Sequence, residues 1–145
     1  MNTQVVVTKE QFIKRLTALC LRGGPAGFPK NEIDEHILLK SAVLVISPVD
    51  SFSEAAINEA LNSWIANVNP DGLIDHGSLR RRLIDTGYLT RERDGSSYRI
   101  AQPGPRPDLF AADIDQLDVV EVIRNGRQEI ERRKQEYLDK ARENK

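Results

Sequence analysis

The sequence predicts a mainly α-helical fold with one small β-hairpin: a winged helix-turn-helix carrying an added N-terminal helix and a long C-terminal helix. Three observations carry that reading. Four stretches repeat apolar residues at helical spacing, and each opens on a capping residue. The fourth runs through a glycine straight into two short strand patterns around Asp94-Gly95. The chain then ends in a long amphipathic segment.

The first helix opens at Thr8, with Gln11 completing a capping box that satisfies orphan N–H groups. Phe12, Ile13, Leu16, Leu19 and Cys20 follow on one side, and Gly23-Gly24-Pro25 ends the run. The second begins after Phe28-Pro29-Lys30, with Asn31 as cap and Glu32, Asp34 and Glu35 in the first turn, where the helix dipole favours acids. From Ile37 to Ile46 it is apolar nearly all round, which predicts a central, buried helix before Pro48. Ser53 caps the third, with Phe52 and Ile57 placed as a hydrophobic staple. Its inner stripe is Ile57, Leu61, Trp64, Ile65 and Val68, and Asn69-Pro70 closes it. Asp75 caps a short fourth helix that turns Leu79, Leu83 and Ile84 inward and stops at Gly87.

Tyr88–Glu92 and Ser97–Ile100 read as paired strands, with Asp94-Gly95 as a two-residue hairpin turn. That register sets Leu89 opposite Ile100 and Arg91 opposite Tyr98 on one face, and Thr90 opposite Arg99 on the other. Residues 103–107, Pro-Gly-Pro-Arg-Pro, read as a stiff linker. Residues 1–102 would then form a winged-helix domain able to fold alone, and 108–145 a single long helix from Asp113 to about Arg142. Ile114, Leu117, Val120, Ile123, Ile130, Tyr137 and Leu138 lie along its apolar side. Such a stripe is longer than one small domain can cover, which predicts a homodimer paired through Phe12, Leu16, Leu117, Val120, Ile123 and Ile130. The alternative is a helix folded back over its own domain.

Composition narrows the partners. With 145 residues and a net charge of −1 the chain is one domain in length and no polycation, so any attraction to DNA must be local. Residues 75–99 hold six arginines against four acids, whereas residues 1–74 hold six basic and eight acidic side chains. Aromatics at 6% are too few for a base-stacking platform. A lone Cys20 precludes an intramolecular disulfide. No signal-peptide pattern opens the chain, and the apolar run 42–46 is too short to span a bilayer, so a cytoplasmic protein without a membrane partner is expected.

On a helical wheel the three consecutive arginines separate. Arg80 falls between Leu83 and Ile84, so its stem is expected to pack and its head to pair with a neighbouring acid or carbonyl. Arg81 points away from the core with Ser78 and Asp85, one turn from that acid, and Arg82 sits at the edge of the exposed face. In the hairpin, Arg91 can stack on Tyr98, leaving Arg93 and Arg99 for phosphate. The candidate DNA contacts are therefore Ser78, Arg81 and Arg82 in the major groove, with Arg93 and Arg99 on the backbone near the wing.

Catalysis has no comparable signature. No nucleophile–histidine–acid pattern is visible, and the glycines of RGGPAG lack both the preceding strand and the lysine of a phosphate loop. Cys20, His36 and His76 lack paired ligand spacing. No metal, no cofactor and no enzymatic activity are expected, and no motif indicates an effector ligand.

Phe28-Pro29-Lys30, Leu79-Arg80-Arg81-Arg82-Leu83, Gly87-Tyr88-Leu89 and Asp94-Gly95-Ser96-Ser97-Tyr98, with the spacing between them, resemble the domain-of-unknown-function family 2087 across about residues 27–100. The resemblance implies a bacterial protein. Some members of that family are attached to arsenic-repressor-type winged-helix regulators, which implies transcriptional regulation. This sequence shows no second helix-turn-helix pattern, so any DNA contact is expected from the family-like segment itself. The reading is a DNA-binding transcriptional regulator; the alternative is a non-catalytic winged-helix module that binds proteins and not DNA.

Overall fold

The computed structural model describes residues 6–22, 26–46 and 51–144. Its elements in order are α1 (Lys9–Leu21), α2 (Glu32–Val45), α3 (Glu54–Asn67), α4 (His76–Thr86), β1 (Leu89–Arg91), β2 (Tyr98–Ile100), a 3-10 turn (Ala112–Gln116) and α5 (Val119–Glu143). Every predicted cap forms. Thr8 and Gln11 make the reciprocal capping box, and Asn31, Ser53 and Asp75 each accept from the backbone N–H three residues on. The stops placed at Gly23-Gly24-Pro25 and at Pro48 lie outside the described residues.

Helix α2 is the axis of the molecule. Residues 36–39 and 41–43 are all buried, so it is covered from several directions, by α1, α3 and α5. Its two buried hydroxyl and imidazole groups are satisfied: Ser41 Oγ donates to the Leu38 carbonyl at 2.6 Å and accepts from Trp64 Nε1 at 3.0 Å, and His36 bonds Tyr88. Trp64 itself is fully buried.

From α2 to β2 the order is helix, short strand, helix, helix, hairpin. The short strand has no counterpart in the sequence pattern. Phe52, predicted only as a staple residue, exchanges both backbone hydrogen bonds with Tyr98 at 2.8 Å, adding a one-residue third strand to the hairpin. The mainly helical chain with its antiparallel hairpin is thus winged-helix-like, with a long C-terminal helix added.

The hairpin keeps the predicted register, Leu89 opposite Ile100, Thr90 opposite Arg99 and Arg91 opposite Tyr98. The turn differs. Glu92 pairs with Ser97 and its carbonyl accepts from Gly95 N–H at 2.9 Å, so the loop has four residues, 93–96, and not two. A two-residue turn of the expected type needs positive φ at both Asp94 and Gly95, and only Gly95 has it, at 74°. Asp94 instead folds its carboxylate onto Ser96, accepting from its N–H at 2.9 Å and its hydroxyl at 2.6 Å.

Beyond the hairpin the structure corrects two expectations. The long helix does not begin near Asp113: a 3-10 turn ends at Gln116, the chain is extended at Leu117, and Asp118 caps a fresh start by accepting from Glu121 N–H at 3.1 Å. Nor is the first half of the apolar stripe left for a second copy. Phe12, Leu16 and Ile123 are wholly inaccessible within a single protomer, and Leu117 and Val120 are partly buried against the same core. The core therefore crosses the proline-rich segment, joining Leu109, Ile114, Val119 and Ile123 to the residues of α1 and α2. Among the described residues the core is continuous across residue 102.

Two details fasten this C-terminal layer. Val7 donates to the Leu109 carbonyl at 2.6 Å and accepts from Ala111 N–H at 2.9 Å. At Gly126, an added Cβ would lie 3.0 Å from both Leu21 and Thr17, so glycine lets α5 approach α1 closely. The free thiol of Cys20 is sealed beneath, its pKa pushed up to about 12 by burial.

Ile130 is half-buried, and every residue from 131 to 144 is exposed, including Tyr137 at 73% and Leu138 at 43%. Helix α5 thus has a packed first half and a solvated second half. Ile123→Ala should lower the free energy of unfolding by about 2–5 kcal/mol, while Tyr137→Ala should change it by less than about 0.5 kcal/mol. Urea denaturation followed by Trp64 fluorescence measures both; equal effects would place α5 outside the core.

Candidate nucleic-acid interface

Helix α4 begins at a single carboxylate. Asp75 Oδ1 accepts from Ser78 N–H at 2.7 Å and Oδ2 from the Ser78 hydroxyl at 3.2 Å. These bonds hold the Asp75 carboxyl below the usual carboxylate range, so the cap stays charged. Ser78 is exposed as predicted, but its hydroxyl is engaged in the cap.

The three arginines of α4 divide by what surrounds them. Arg80 is three-quarters covered, bonds Asn58 Oδ1 at 2.5 Å and lies 3.5 Å from Glu54, with its guanidinium 5.8 Å from the Tyr98 ring. It ties α4 to α3 and to the hairpin. Arg82 is turned toward α2: its Nε is 3.7 Å from Glu35, and its guanidinium lies 4.8 Å from the Phe28 ring centroid. Only Arg81 is exposed with no acidic partner among the described residues, and the pair with Asp85 that their spacing suggested is not formed.

The wing repeats the division. Arg91 sits across from Tyr98 with its guanidinium 5.9 Å from the ring, as the register predicted. Arg93, in the turn, and Arg99, on the outward face of β2, are exposed and make no ion pair among the described residues. The loop between them carries one carboxylate committed to Ser96, and that bonding lowers the Asp94 pKa. Arg81, Arg93 and Arg99 are therefore the unengaged cations of α4 and the wing. Phe28 and Asn58, which hold Arg82 and Arg80, were not singled out by sequence for these roles. Phe28 belongs to the Phe28-Pro29-Lys30 motif, whereas nothing in the sequence marks Asn58.

The angle of α4 against α2 is set at its far end. Gly87 ends the helix in the left-handed region and Tyr88 N–H reaches back to the Leu83 carbonyl at 2.8 Å. This directs the Tyr88 hydroxyl to His36 Nδ1, 2.7 Å away on α2. Burial lowers the His36 pKa, and Arg106 lowers it further against the opposing pull of Glu32 and Glu35. Burial likewise raises the Tyr88 pKa. The pair is neutral at pH 7 and joins the residue just past α4 to the central helix.

Among the described residues no group of three histidine, cysteine or acidic side chains could hold a metal ion, and no helix is long and apolar enough to cross a membrane.

Residues 26–100, just over half of the chain, match the family described as uncharacterized protein conserved in bacteria, DUF2087. No curated protein and no solved structure matches the chain.

The His36 shift has a definite sign. With the folded pKa below the ordinary value of 6.5, the unfolded chain binds the proton first. Stability is complete above pH 6.5 and falls as the pH drops through and below that value. Denaturant titrations between pH 7.5 and pH 5 should show this slope in the wild type and lose most of it in His36→Gln. An unchanged slope in the variant would assign it to other groups.

Proposed function

The chain belongs to the DUF2087 family, and we propose that it acts as a winged-helix regulator of transcription that binds double-stranded DNA, with no catalytic role. The observation that carries this reading is the set of unengaged arginines, Arg81 on α4 and Arg93 and Arg99 on the wing, exposed on a helix and a hairpin that pack against each other through α4 and β1. In helix-turn-helix proteins the second helix of the pair enters the major groove. Here that helix is α4, Arg81 reads or grips there, and Arg93 and Arg99 hold the backbone. Ser78 and Arg82 take part at the helix start and edge, Arg82 by exchanging its Glu35 partner for phosphate.

Three free cations are a modest electrostatic footprint, since each neutralised phosphate contributes about 0.9 to the salt slope. A dimer doubles it. The solvated half of α5 offers the surface for one, with Tyr137 and Leu138 exposed and Ile130 half-buried along it. The same surface favours the second reading, a module that docks a protein and leaves DNA alone, and the Arg82–Glu35 pair is the observation on that side.

Gel shifts of the full chain on duplex fragments across a salt series separate the two. Binding should weaken steadily with salt; Arg81→Ala should abolish it at unchanged melting temperature, and Arg93→Ala with Arg99→Ala should flatten the slope by about two units. A wild type that binds no duplex at low salt leaves the interaction module. Sedimentation should give a dimer at tens of micromolar, roughly where a −6 to −7 kcal/mol association persists, and a monomer after Tyr137→Glu with Leu138→Glu. A wild-type monomer there removes the dimer.

A further inference from the structure

Helix α2, the end of β2 and the segment from Ala101 to Ala111 enclose a cleft of about 400 Å³. None of the candidate DNA contacts lines it. Its volume falls in the range of small-molecule sites, about 300–1,000 Å³. The apolar part of the lining comes from Val43 and Leu44 of α2, Ile46 just past its end, and Ile100 of β2. Two aromatic rings join them, Tyr88 and Phe110. Because the Tyr88 hydroxyl is held by His36 Nδ1 at 2.7 Å, that residue offers the cleft a ring and not a donor.

The charged part is uneven. Lys40 and Arg106 both line the cleft, against the single carboxylate of Asp115. Lys40 Nζ is 2.7 Å from Asp115 and 5.9 Å from the Phe110 ring centroid. Arg106 is paired at 3.0 Å with Glu32, which does not line the cleft. Both acids are well exposed, Asp115 at 59% and Glu32 at 75%; Arg106 is exposed too, so its pair is solvent-competed and exchanges at little cost, whereas Lys40 is mostly covered and holds its charge at the cleft. A ligand carboxylate in the cleft would take charge-assisted hydrogen bonds from two cations while its hydrocarbon part covers the apolar lining. An inorganic anion satisfies only the first of these needs, and a neutral hydrocarbon only the second.

We propose that this cleft is a binding site for a small organic acid, a carboxylate on an aromatic body, held by Lys40 and Arg106. The site shares no residue with the DNA-facing set, and its occupancy is measured without DNA, so its failure and the failure of the DNA reading are separate results.

The test is a titration of the full-length protein, followed by amide NMR, with benzoate, phenylacetate and 2-naphthoate, each beside its neutral amide and beside acetate and phosphate. The acids should give saturable shifts at Ile100, Ala101, Gly104 and Ala111. The amides, and the acids on Lys40→Met or Arg106→Met, should bind at least about tenfold more weakly. Ala101→Trp fills the cleft with both cations kept, and should abolish the response. The proposal is overturned if no acid saturates by about 10 mM, ten times the ~1 mM constant of a weak small-ligand site. It is equally overturned if amides bind as well as acids, if acetate or phosphate does (an adventitious ion only), or if Ala101→Trp responds like the wild type.

Discussion

A helix that is apolar on nearly every side has to be covered on nearly every side, and α2 imposes that condition on the whole molecule. A winged-helix core of α2, α3, α4 and the hairpin covers part of its circumference. The remainder is closed by α1 and the first half of α5, which pack on each other across Gly126 as well as on α2. Of the polar residues drawn inside, Ser41 bonds Trp64 and His36 bonds Tyr88, and no buried side-chain nitrogen or oxygen among the described residues is left without a partner. The flanking helices are therefore part of the fold's interior, although they lie outside the matched segment 26–100.

Local features were legible in the sequence because local chemistry determines them. Capping oxygens at Thr8, Asn31, Ser53 and Asp75, the left-handed stop at Gly87 and the hairpin register all depend on residues within a few positions of one another. What was misjudged depends on tertiary partners. An amphipathic stripe looks the same whether a second copy or the chain's own α1 covers it, so the pattern that suggests an interface at Phe12, Leu16 and Ile123 belongs to core residues. Phe52 pairs with Tyr98 through one residue's backbone, and a strand of one residue has no periodicity to detect. The turn at Asp94-Gly95 was assigned from its dipeptide, but Ser96 competes for the Asp94 carboxylate and favours a wider loop of the same register.

The candidate site shows the same boundary between local and tertiary. A helical wheel separated Arg80 from Arg81, because the direction of each side chain follows from the helix alone. It could not supply Asn58, Phe28 or Glu35, which reach α4 from three other segments and decide what each arginine does. Nor could it show the cleft, whose lining residues come from α2, the hairpin end and the proline-rich segment and meet only once α2 is wrapped. That segment, read as a spacer, is a wall: Arg106 reaches Glu32, and Pro105 lies 3.4 Å from where a Cβ on Gly87 would stand.

The two halves of α5 obey different physics, and the difference explains why the helix outlasts its own packing. Up to about Ile130 the helix is held by apolar contact, through Val119 and Ile123 and the close approach at Gly126. Beyond that point every described residue is exposed, so burial no longer offsets the entropy of ordering the chain, and the helix must be maintained from within. Its composition suits that task. Glu129 accepts from both Arg132 and Arg133, Arg132 also reaches Glu136, and Gln135 bonds Asp139, all at spacings of three or four residues along the helix. Lys140 and Arg142 then stand in the last turn, where cations oppose the helix dipole. These interactions make a helix persist in water without giving it anything to pack against, so the exposure of Tyr137 and Leu138 is a property of this stretch and not a defect in the domain's core.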